Sequence, residues 1–488
     1  MTKPHDLPHN PQSNMENDRM TKVTKRARFV LLVAALSVAA AEPTKVVFFF
    51  DTEDFIQPRS SDAIRDMANV LAAEGVKGHF AMVGYLGKKL VDWRRFDVID
   101  ALKAHHVGTQ TLYHSLHPNI TEYTDIEDFD AAYVRALEEE SRGIGMLMAA
   151  TGKDRMWCSV LPGNGNTIVG LYLYADMGIP FFGGGTGMYE DETKCGDIWY
   201  CNQRHLSYAY SLHLESFLHE QPENVINAKL DELAKQQVVT FYMHPHMAVC
   251  IRHWDWVFRK GNLYPYGEWP CAETRDPAVT AAYYERIKAF LKKLKADPRF
   301  EITDCPALLA AQNLRKPITR DDVPAIRAAL SKSLGPVRAP AEWSIADCFL
   351  AAVEFLRGKT LYRPGKTYGF LYAPKGVKEQ VRVKTADLVA AAKRMDVSRF
   401  LPTSIDVGGV EIGPADFLFA ALEAIETGKD EVVVTPRDQL GDIARYLPKM
   451  ATASFRDTWI YTPEYKDAWT SNRLRWQFWT FRYERPSR

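Results

Sequence analysis

The sequence has no excess of either charge. Its 488 residues carry 61 Lys and Arg against 61 Asp and Glu, which gives a formal net charge of zero. Nucleic-acid-binding chains usually show a strong basic bias, so the balance argues against a nucleic-acid partner and favours a neutral or small one. The length predicts two or three domains rather than one core.

Cysteine is scarce, and no two cysteines stand in a Cys-x-x-Cys pair. There are seven, an odd number, so at least one thiol is expected to be free. A structural zinc site built from paired cysteines is therefore not expected. In an exported protein, Cys195 and Cys201 could close a short loop through a disulfide.

The apolar run near the N-terminus is too short to be a typical membrane span. It extends from Phe29 to Ala40, follows several Lys and Arg residues, and has small residues at Ala39 and Ala41. Spanning a bilayer takes roughly 20 apolar residues, so a signal peptide is favoured over a membrane anchor. We expect residues 1–41 to be a leader and signal peptide cleaved after Ala41. The mature protein would be secreted, periplasmic or at the cell surface, with no membrane span.

Short apolar segments alternate with helical ones from Lys45 to about Ala311. The stretches "KVVFFF", "VKGHFAMVG" and "QVVTFYMHPH" are typical of buried strands, and amphipathic helical patterns separate them. Such alternation predicts parallel strands joined by helices. The fold class is therefore α/β, and residues 42–315 are predicted to form a distorted (β/α) barrel of about seven units rather than an open sheet.

A smaller, mainly helical repeat domain is predicted for residues 316–450. The segments "ADCFLAAVEFLRGK" from Ala346 and "ADFLFAALEAIETGK" from Ala415 match in composition and order. The alternative is two unrelated helices of similar composition. The last stretch, residues 451–488, is rich in Trp and Tyr, and these aromatic residues are expected to pack back onto a domain rather than to bind sugar.

Three acids follow the first predicted strand directly. Asp51, Glu53 and Asp54 stand where a chain leaving a buried strand reaches the mouth of the barrel. Because burying acids is costly, a metal or proton-transfer role is favoured, with capping of the next helix as the alternative.

Histidines gather in two places further along. His114 and His117 lie in a polar loop, and two imidazoles with one carboxylate form the ligand set of a hydrolytic metal site. His105 and His106 end a helix, where a structural role is favoured. His244 and His246 leave another buried strand, and one of them could act as a general acid or be a hydrogen-bonded structural residue.

The order of these motifs resembles the polysaccharide deacetylase family, carbohydrate esterase family four, from Lys45 to Leu309. The family's first motif supplies a catalytic base and a metal-binding aspartate. "DTED" looks like a stretched version of it, which implies Asp51 as the base and Asp54 as the ligand. Glu53 is the alternative ligand.

The second and third family motifs are altered in this chain. "QTLYH" matches His-Thr-x-x-His, with Gln110 at the first metal histidine and His114 at the second. His117 is the candidate substitute for the missing ligand. "SVLPGNG" matches the Arg-x-Pro loop without its arginine, and the resemblance leaves Pro162 and Gly163 as substrate-binding positions.

The last family motif resembles "TFYMH" and implies His244 as the catalytic acid. Trp254 and Asn262 are predicted to line a sugar-sized cleft. The resemblance implies a divalent metal, expected to be zinc, and removal of acetyl groups from an acetylated polysaccharide or cell-wall glycan.

The C-terminal region is also weakly similar to pseudomurein-binding repeats, through its helix, Leu-Pro, "VGG" turn and Pro-initiated helix. Two functions therefore stand side by side. One is an exported metal-dependent deacetylase, and the other is a non-catalytic glycan-binding protein that retains a degenerate deacetylase barrel.

Overall fold

The computed structural model describes residues 42–184, 197–218, 223–312, 315–452 and 459–484. The predicted leader and Cys195 lie outside these residues, and Cys201 is a buried free thiol. From Thr44 onward the described residues belong to one compact unit. None of the described helices is long and apolar enough to cross a membrane.

One strand with apolar residues on both faces is at the centre of the main sheet. β1 (Thr44–Thr52, TKVVFFFDT) is almost wholly buried, as expected for a strand covered on both sides. Val46, Phe48 and Phe50 join the core that contains the helices, whereas Val47 and Phe49 join a second core on the opposite face. This alternation decides which of the acids that follow share a direction.

The remaining strands of this region flank β1 on both sides. They are β2 (Gly78–Met82), β3 (His106–Thr109), β4 (Cys158–Ser159), β5 (Phe181–Gly183), β6 (Asp197–Tyr200), β7 (Gln203–Leu206), β8 (Tyr208–Ser211), β9 (Val238–Met243) and β10 (Phe300–Ile302).

The sheet runs in the order β6-β7-β5-β4-β3-β2-β1-β9-β8, and β10 pairs with the start of β1. Its strands pair in parallel except β6 and β7, which form an antiparallel hairpin. The fold is thus mixed α/β with a sheet that curls into part of a barrel. The antiparallel hairpin departs from the strict alternation that the sequence predicts.

Helices cover the sheet and connect its strands. In chain order they are α1 (Ser60–Ala73), α2 (Gly84–Asp92), α3 (Phe96–Leu102), α4 (Ile120–Thr124), α5 (Phe129–Thr151), α6 (Ile168–Asp176), α7 (Leu214–Leu218), α8 (Glu223–Leu233), α9 (Pro277–Ala296) and α10 (Cys305–Ala310). Short 3-10 turns lie at Pro162–Asn164, Pro245–Ala248 and Trp254–Phe258.

The region after residue 316 contains short strands and helices in two similar series. The first comprises β11 (Ile318–Thr319), the 3-10 turn Arg320–Asp322, α11 (Val323–Lys332), α12 (Ile345–Leu356) and β12 (Leu361–Tyr362). The second comprises β13 (Val381–Lys384), α13 (Thr385–Arg394), β14 (Ile405–Val407), β15 (Val410–Ile412), α14 (Pro414–Thr427) and β16 (Glu431–Val434).

In each series the outer strands pair antiparallel, β11 with β12 and β13 with β16. An antiparallel contact also precedes the second helix of each, Val337 with Trp343 in the first and β14 with β15 in the second. The helices that carry the two similar sequence segments, α12 and α14, each begin with a buried aspartate, Asp347 and Asp416, that caps the first turn.

The tail returns to the barrel. It forms α15 (Ile443–Tyr446), α16 (Pro448–Thr452), α17 (Thr470–Trp476), the 3-10 turn Phe478–Thr480 and β17 (Arg482–Tyr483). β17 pairs antiparallel with β6 and so becomes the edge strand of the main sheet. Tyr461 and Trp479 of the tail are fully buried, whereas Trp459 is 36% exposed.

Candidate active site

The predicted chemistry-bearing segments meet at one edge of the sheet. β1 delivers Asp51, β3 is followed by Gln110, and β9 is followed by His244. Because these strands are parallel, their carboxyl ends lie side by side.

A cavity of about 300 Å³ opens at this edge. It is lined by Asp51, Glu53, Gln110, His114, Val160, Leu161, Gly163, Gly184, Tyr208, Tyr242, His244, His253, Asp255, Arg259 and Trp459.

Glu53 is the centre of the site. Its Oε1 accepts a hydrogen bond from Gln110 Nε2 at 2.7 Å and lies 3.3 Å from His114 Nε2 and 3.7 Å from His244 Nε2. Its Oε2 accepts from Trp254 Nε1 at 2.8 Å. Burial alone would raise the pKa of Glu53, but the neighbouring His114 imidazole outweighs burial and holds it well below its usual range. Glu53 is therefore a buried carboxylate with two histidine nitrogens directed at one of its oxygens.

The outer nitrogen of His244 is fixed from behind. His244 Nδ1 lies 2.8 Å from His213 Nε2, and the backbone N–H of His244 donates to the same nitrogen at 3.2 Å. A nitrogen that accepts from a backbone N–H carries no proton, so His244 bears its proton on Nδ1. Its Nε2 then faces the acids with a lone pair. Burial lowers the pKa of His244 to about 4, which keeps the ring neutral.

His114 is held in a similar way. Its Nδ1 bonds Ser115 Oγ, which in turn donates to Asp255 Oδ2 at 3.2 Å. Burial would lower the pKa of His114, but the neighbouring Glu53 carboxylate outweighs burial and raises it. The Glu53 carboxylate therefore favours a positive charge in the space between itself and the imidazoles.

Asp51 lies beside this group with its two oxygens in different surroundings. Oδ1 accepts from Tyr208 Oη at 2.5 Å, whereas Oδ2 is 3.6 Å from His244 Nε2. Burial and the nearby Glu53 raise the pKa of Asp51 to about 7. A carboxyl with such a pKa exchanges protons near neutral pH.

Asp54, the expected metal ligand, does not face this group. Its Oδ1 accepts from the backbone N–H groups of Ile56 and Gln57 at 2.9 and 3.0 Å, which caps the turn after β1. The reason is that side chains point alternately to the two faces of an extended chain. Asp51 and Glu53 continue the face of Phe49 at intervals of two residues, and Asp54 falls on the other face. The period of two along "VVFFFDTED" is the signal that favours Glu53.

His117 is likewise held elsewhere. Its Nδ1 is 2.8 Å from Glu122 Oε2 and its Nε2 is 2.7 Å from the carbonyl of Phe258. Asn262, expected in the sugar cleft, instead clamps the backbone of His117 with bonds of 3.0 and 2.9 Å. Neither residue lines the cavity.

Among the other predicted substrate-binding residues, some line the cavity and some do not. Gly163 lines the cavity, with a left-handed φ of 53° and Ile460 packed where a side chain would begin. Pro162 starts the 3-10 turn of the same loop and does not line the cavity. Trp254 is fully buried and serves Glu53 through its indole N–H rather than presenting a ring face.

Several cavity residues were not singled out from the sequence. Tyr208, for example, bonds Asp51. Arg259 and Trp459 line the exposed side. The pattern "YAYS" of β8, with aromatic residues two apart, was a signal for Tyr208. Trp459 lies 200 residues beyond Arg259 in number, and no local pattern connects the two.

The donor set fits a divalent metal ion. Ligand atoms of Asp51, Glu53 and His244 lie within 4.8 Å of one another. The 3.7 Å between Glu53 Oε1 and His244 Nε2 is close to the spacing of about 3.4 Å between ligand atoms in a tetrahedral zinc site with bonds near 2.0–2.1 Å. His114 Nε2 lies 3.3 Å from the same Glu53 oxygen but is not part of the group whose ligand atoms all lie within 4.8 Å of one another. Both histidines also have their outer nitrogen fixed by a partner, as metal-bound histidines generally do.

Comparison with known proteins finds only distant likenesses. No protein-family model and no curated protein matches the chain. A putative polysaccharide deacetylase from Mycobacterium smegmatis is 14% identical and aligns over 56% of this chain and 91% of its own, with a TM-score of 0.35. A pseudoenzyme of carbohydrate esterase family four from Bacillus anthracis is 13% identical over 55% of this chain and 66% of its own, with a TM-score of 0.31.

A 4-alpha-glucanotransferase from Thermococcus litoralis is 11% identical over 65% of this chain and 47% of its own, with a TM-score of 0.37. At these TM-scores the likenesses decide neither fold nor function, and the geometry of the cavity carries the argument below.

Proposed function

We propose that this protein is a metal-dependent hydrolase that removes acetyl groups from a polysaccharide or cell-wall glycan. The observation that carries the proposal is the convergence of His114 Nε2 and His244 Nε2 on Glu53 Oε1, with Asp51 beside them, at the floor of a cavity. The glycan as substrate rests on the motif order that resembles the polysaccharide deacetylases.

The described group that could hold the ion is Asp51, Glu53 and His244. We take Glu53 and His244 as ligands and His114, 3.3 Å from Glu53, as the second imidazole of a zinc site. When bound, such an ion polarises a carbonyl and lowers the pKa of a water. His213 and Ser115 keep the two rings turned so that their Nε2 atoms point inward. Trp254 and Gln110 fix the carboxylate between them.

Asp51 is the proton carrier in this proposal. Tyr208 fixes its Oδ1, so that Oδ2 faces the cavity beside His244 Nε2. Asp51 removes a proton from the attacking water and returns it to the departing amine or alcohol, because a group whose pKa is near the working pH serves in both directions. The sequence assigned the return step to His244, and a neutral His244 with its proton on Nδ1 supports a ligand role instead.

The two roles of His244 are separable by one variant. In His244→Gln we expect both metal content and acetate release to fall. Metal content is measured by elemental analysis, and acetate is measured on a panel of O- and N-acetylated glycans. A variant that keeps its metal but loses activity would return His244 to the acid role. A wild-type protein that holds metal and releases acetate from no glycan would refute the proposed function.

One observation favours the non-catalytic alternative. Gln110 occupies the position of a metal histidine, and its amide already satisfies Glu53 Oε1 at 2.7 Å. A glycan-binding protein with an intact cavity and no metal would have this arrangement. Metal-free protein that binds a glycan without cleaving acetate would establish that function.

The proposal also includes export and attachment to a glycan surface. It is supported by the signal-peptide pattern that ends at Ala41 and by the weak pseudomurein-repeat resemblance of residues 316–450. N-terminal sequencing of secreted protein tests the first, and sedimentation of the full chain with purified cell-wall polymer tests the second. An unprocessed chain retained in the cytoplasm would contradict export.

A further inference from the structure

Arg259 differs in charge from the rest of the cavity. The described lining includes three carboxylates, Asp51, Glu53 and Asp255, and Arg259 is the one Lys or Arg among those lining residues. The acids are buried, whereas Arg259 is exposed to solvent. The cavity therefore has an acidic floor and a basic rim.

The guanidinium of Arg259 is placed over an aromatic ring. It lies 5.6 Å from the centre of the Trp459 ring, and Trp459 is 36% exposed, which leaves much of the indole open to the cavity. Within the described parts of the chain, no carboxylate forms an ion pair with Arg259. Its charge is thus available to a ligand, unlike that of Arg95 or Arg299, whose guanidinium groups bind aspartates.

The turn that carries Arg259 is braced on both sides. Phe258, before it, bonds His117 through its carbonyl, and Lys260, after it, donates its backbone N–H to the carbonyl of Trp459 at 3.1 Å. Asn262 then clamps the backbone of His117. His117 and Asn262 do not face the cavity, but their bonds hold Arg259 and Trp459 in one fixed arrangement.

We propose that the site selects an acidic glycan, in which a sugar carboxylate binds Arg259, the sugar ring stacks on Trp459, and the acetyl group lies toward Asp51 and Glu53. An arginine fork recognises a carboxylate through paired hydrogen bonds, and an indole face suits the apolar face of a sugar ring. Arg259 is the one Lys or Arg of the described lining, so this orientation places the sugar carboxylate at the rim and the acetyl group at the floor. The inference rests on the proposed function and specifies its substrate class.

The test compares acidic and neutral substrates of the same acetyl chemistry. For O-acetyl groups the pair is acetylated polygalacturonate and acetylated glucomannan, and for N-acetyl groups it is hyaluronan and chitin oligosaccharides. We expect zinc-loaded protein to favour the acidic member by about tenfold or more in kcat/KM, because hydrogen bonds to charged groups are the stronger ones. Added salt should reduce the preference.

The variant Arg259→Gln should lose most of this preference, chiefly through KM, and Arg259→Lys should restore part of it. Arg252→Gln is the matched control, because Arg252 stacks over Trp256 at 4.1 Å in the same way but lies off the cavity. Equal effects of Arg259→Gln and Arg252→Gln, or no acidic preference in the wild type, would overturn the inference.

Binding measurements test this inference independently of the proposed function. If no substrate yields acetate, the proposed function fails, and titration with oligogalacturonate and manno-oligosaccharide still decides the inference. Calorimetry should then show about tenfold tighter binding of the acidic oligosaccharide, lost in Arg259→Gln and retained in Arg252→Gln. Absence of acidic binding in the wild type would refute it.

Discussion

The two edges of the main sheet both hold clustered histidines, yet the possible metal-ligand group that the described residues form lies at one of them. At the carboxyl edge, His114 and His244 point Nε2 at the same oxygen of Glu53. At the amino edge, His79 bonds the carbonyl of Phe48 through Nδ1 and accepts from the N–H of Cys305 through Nε2.

The other amino-edge histidines are engaged in the same manner. His105 Nδ1 accepts from the N–H of Gly78 at 3.1 Å and its Nε2 bonds the carbonyl of Ala68 at 2.8 Å, while His106 bonds Asp304. Burial lowers the pKa of His105 to about 4. The comparison teaches that the number of histidines does not identify a site. A candidate site is identified by histidine Nε2 atoms that converge on one carboxylate while the Nδ1 atom of each ring is held by a hydrogen bond.

The largest effect is expected from removing the charge at the convergence point. In Glu53→Gln we expect loss of bound zinc and a fall in acetate release of about 10³-fold or more, since a Lewis acid contributes several kcal/mol to such reactions. Elemental analysis and an acetate assay measure the two. Asp304 is the matched carboxylate at the amino edge, and the Asp304→Asn protein should bind as much zinc as the wild type. Equal metal loss in both variants would erase the distinction between the edges.

Asp51→Asn should separate proton transfer from metal binding. We expect acetate release to fall by about 10²- to 10⁴-fold, the usual contribution of a general base, with zinc content retained. Elemental analysis beside steady-state kinetics checks both parts. Loss of the metal would assign Asp51 to the ligands instead.

Tyr208→Phe should change the pH profile more than the maximal rate. The basic form of Asp51 is required, so kcat/KM rises as pH increases through a pKa of about 7. The Tyr208 hydrogen bond stabilises the carboxylate and lowers that pKa, so its removal should move the midpoint to higher pH. Measuring kcat/KM from about pH 5 to about pH 9 covers both sides of the Asp51 pKa and reports its shift. A downward shift would contradict the assigned role.

His79→Ala should affect stability and leave the chemistry unchanged. Two buried backbone groups lose their partner, and we expect the free energy of unfolding to fall by about 1–3 kcal/mol. Urea denaturation measures this change, and zinc per folded chain should remain that of the wild type. Reduced zinc in the folded fraction would show that the two edges are coupled.

The smallest effect is expected at Asp54. Asp54→Asn keeps the Oδ1 that caps the turn after β1, so stability should fall less than in His79→Ala and zinc content should change little. Elemental analysis and urea denaturation check this. Substantial zinc loss would restore Asp54 as a ligand, as the family resemblance implies.

These contrasts show what the sequence could predict. The strand "KVVFFF" and the position of Asp51 were predictable because a buried parallel strand needs a continuous apolar run. His105 and His106 were correctly expected to be structural. The choice between Glu53 and Asp54 needed the direction of each side chain after the strand end, which the motif resemblance does not encode.

Other parts of the site arise from contacts distant in the chain. Tyr208 reaches Asp51 across 157 positions, and Asp255 reaches Ser115 across 140. Such pairs are set by how strands are ordered in the sheet, and periodicity within one segment carries no information about them. The antiparallel β6–β7 hairpin was missed for a related reason, since it interrupts an otherwise regular alternation.

The pairing of β17 with β6 gives the protein a particular order of assembly. A chain grows from its N-terminus, so Asp51, Glu53 and the histidines are synthesised before Trp459 and the edge strand β17. The candidate ligands at the floor of the cavity are therefore synthesised long before Trp459. Until β17 has been synthesised, β6 lacks this partner strand, and the segment that supplies β17 also carries Trp459, the last of the cavity-lining residues in chain order.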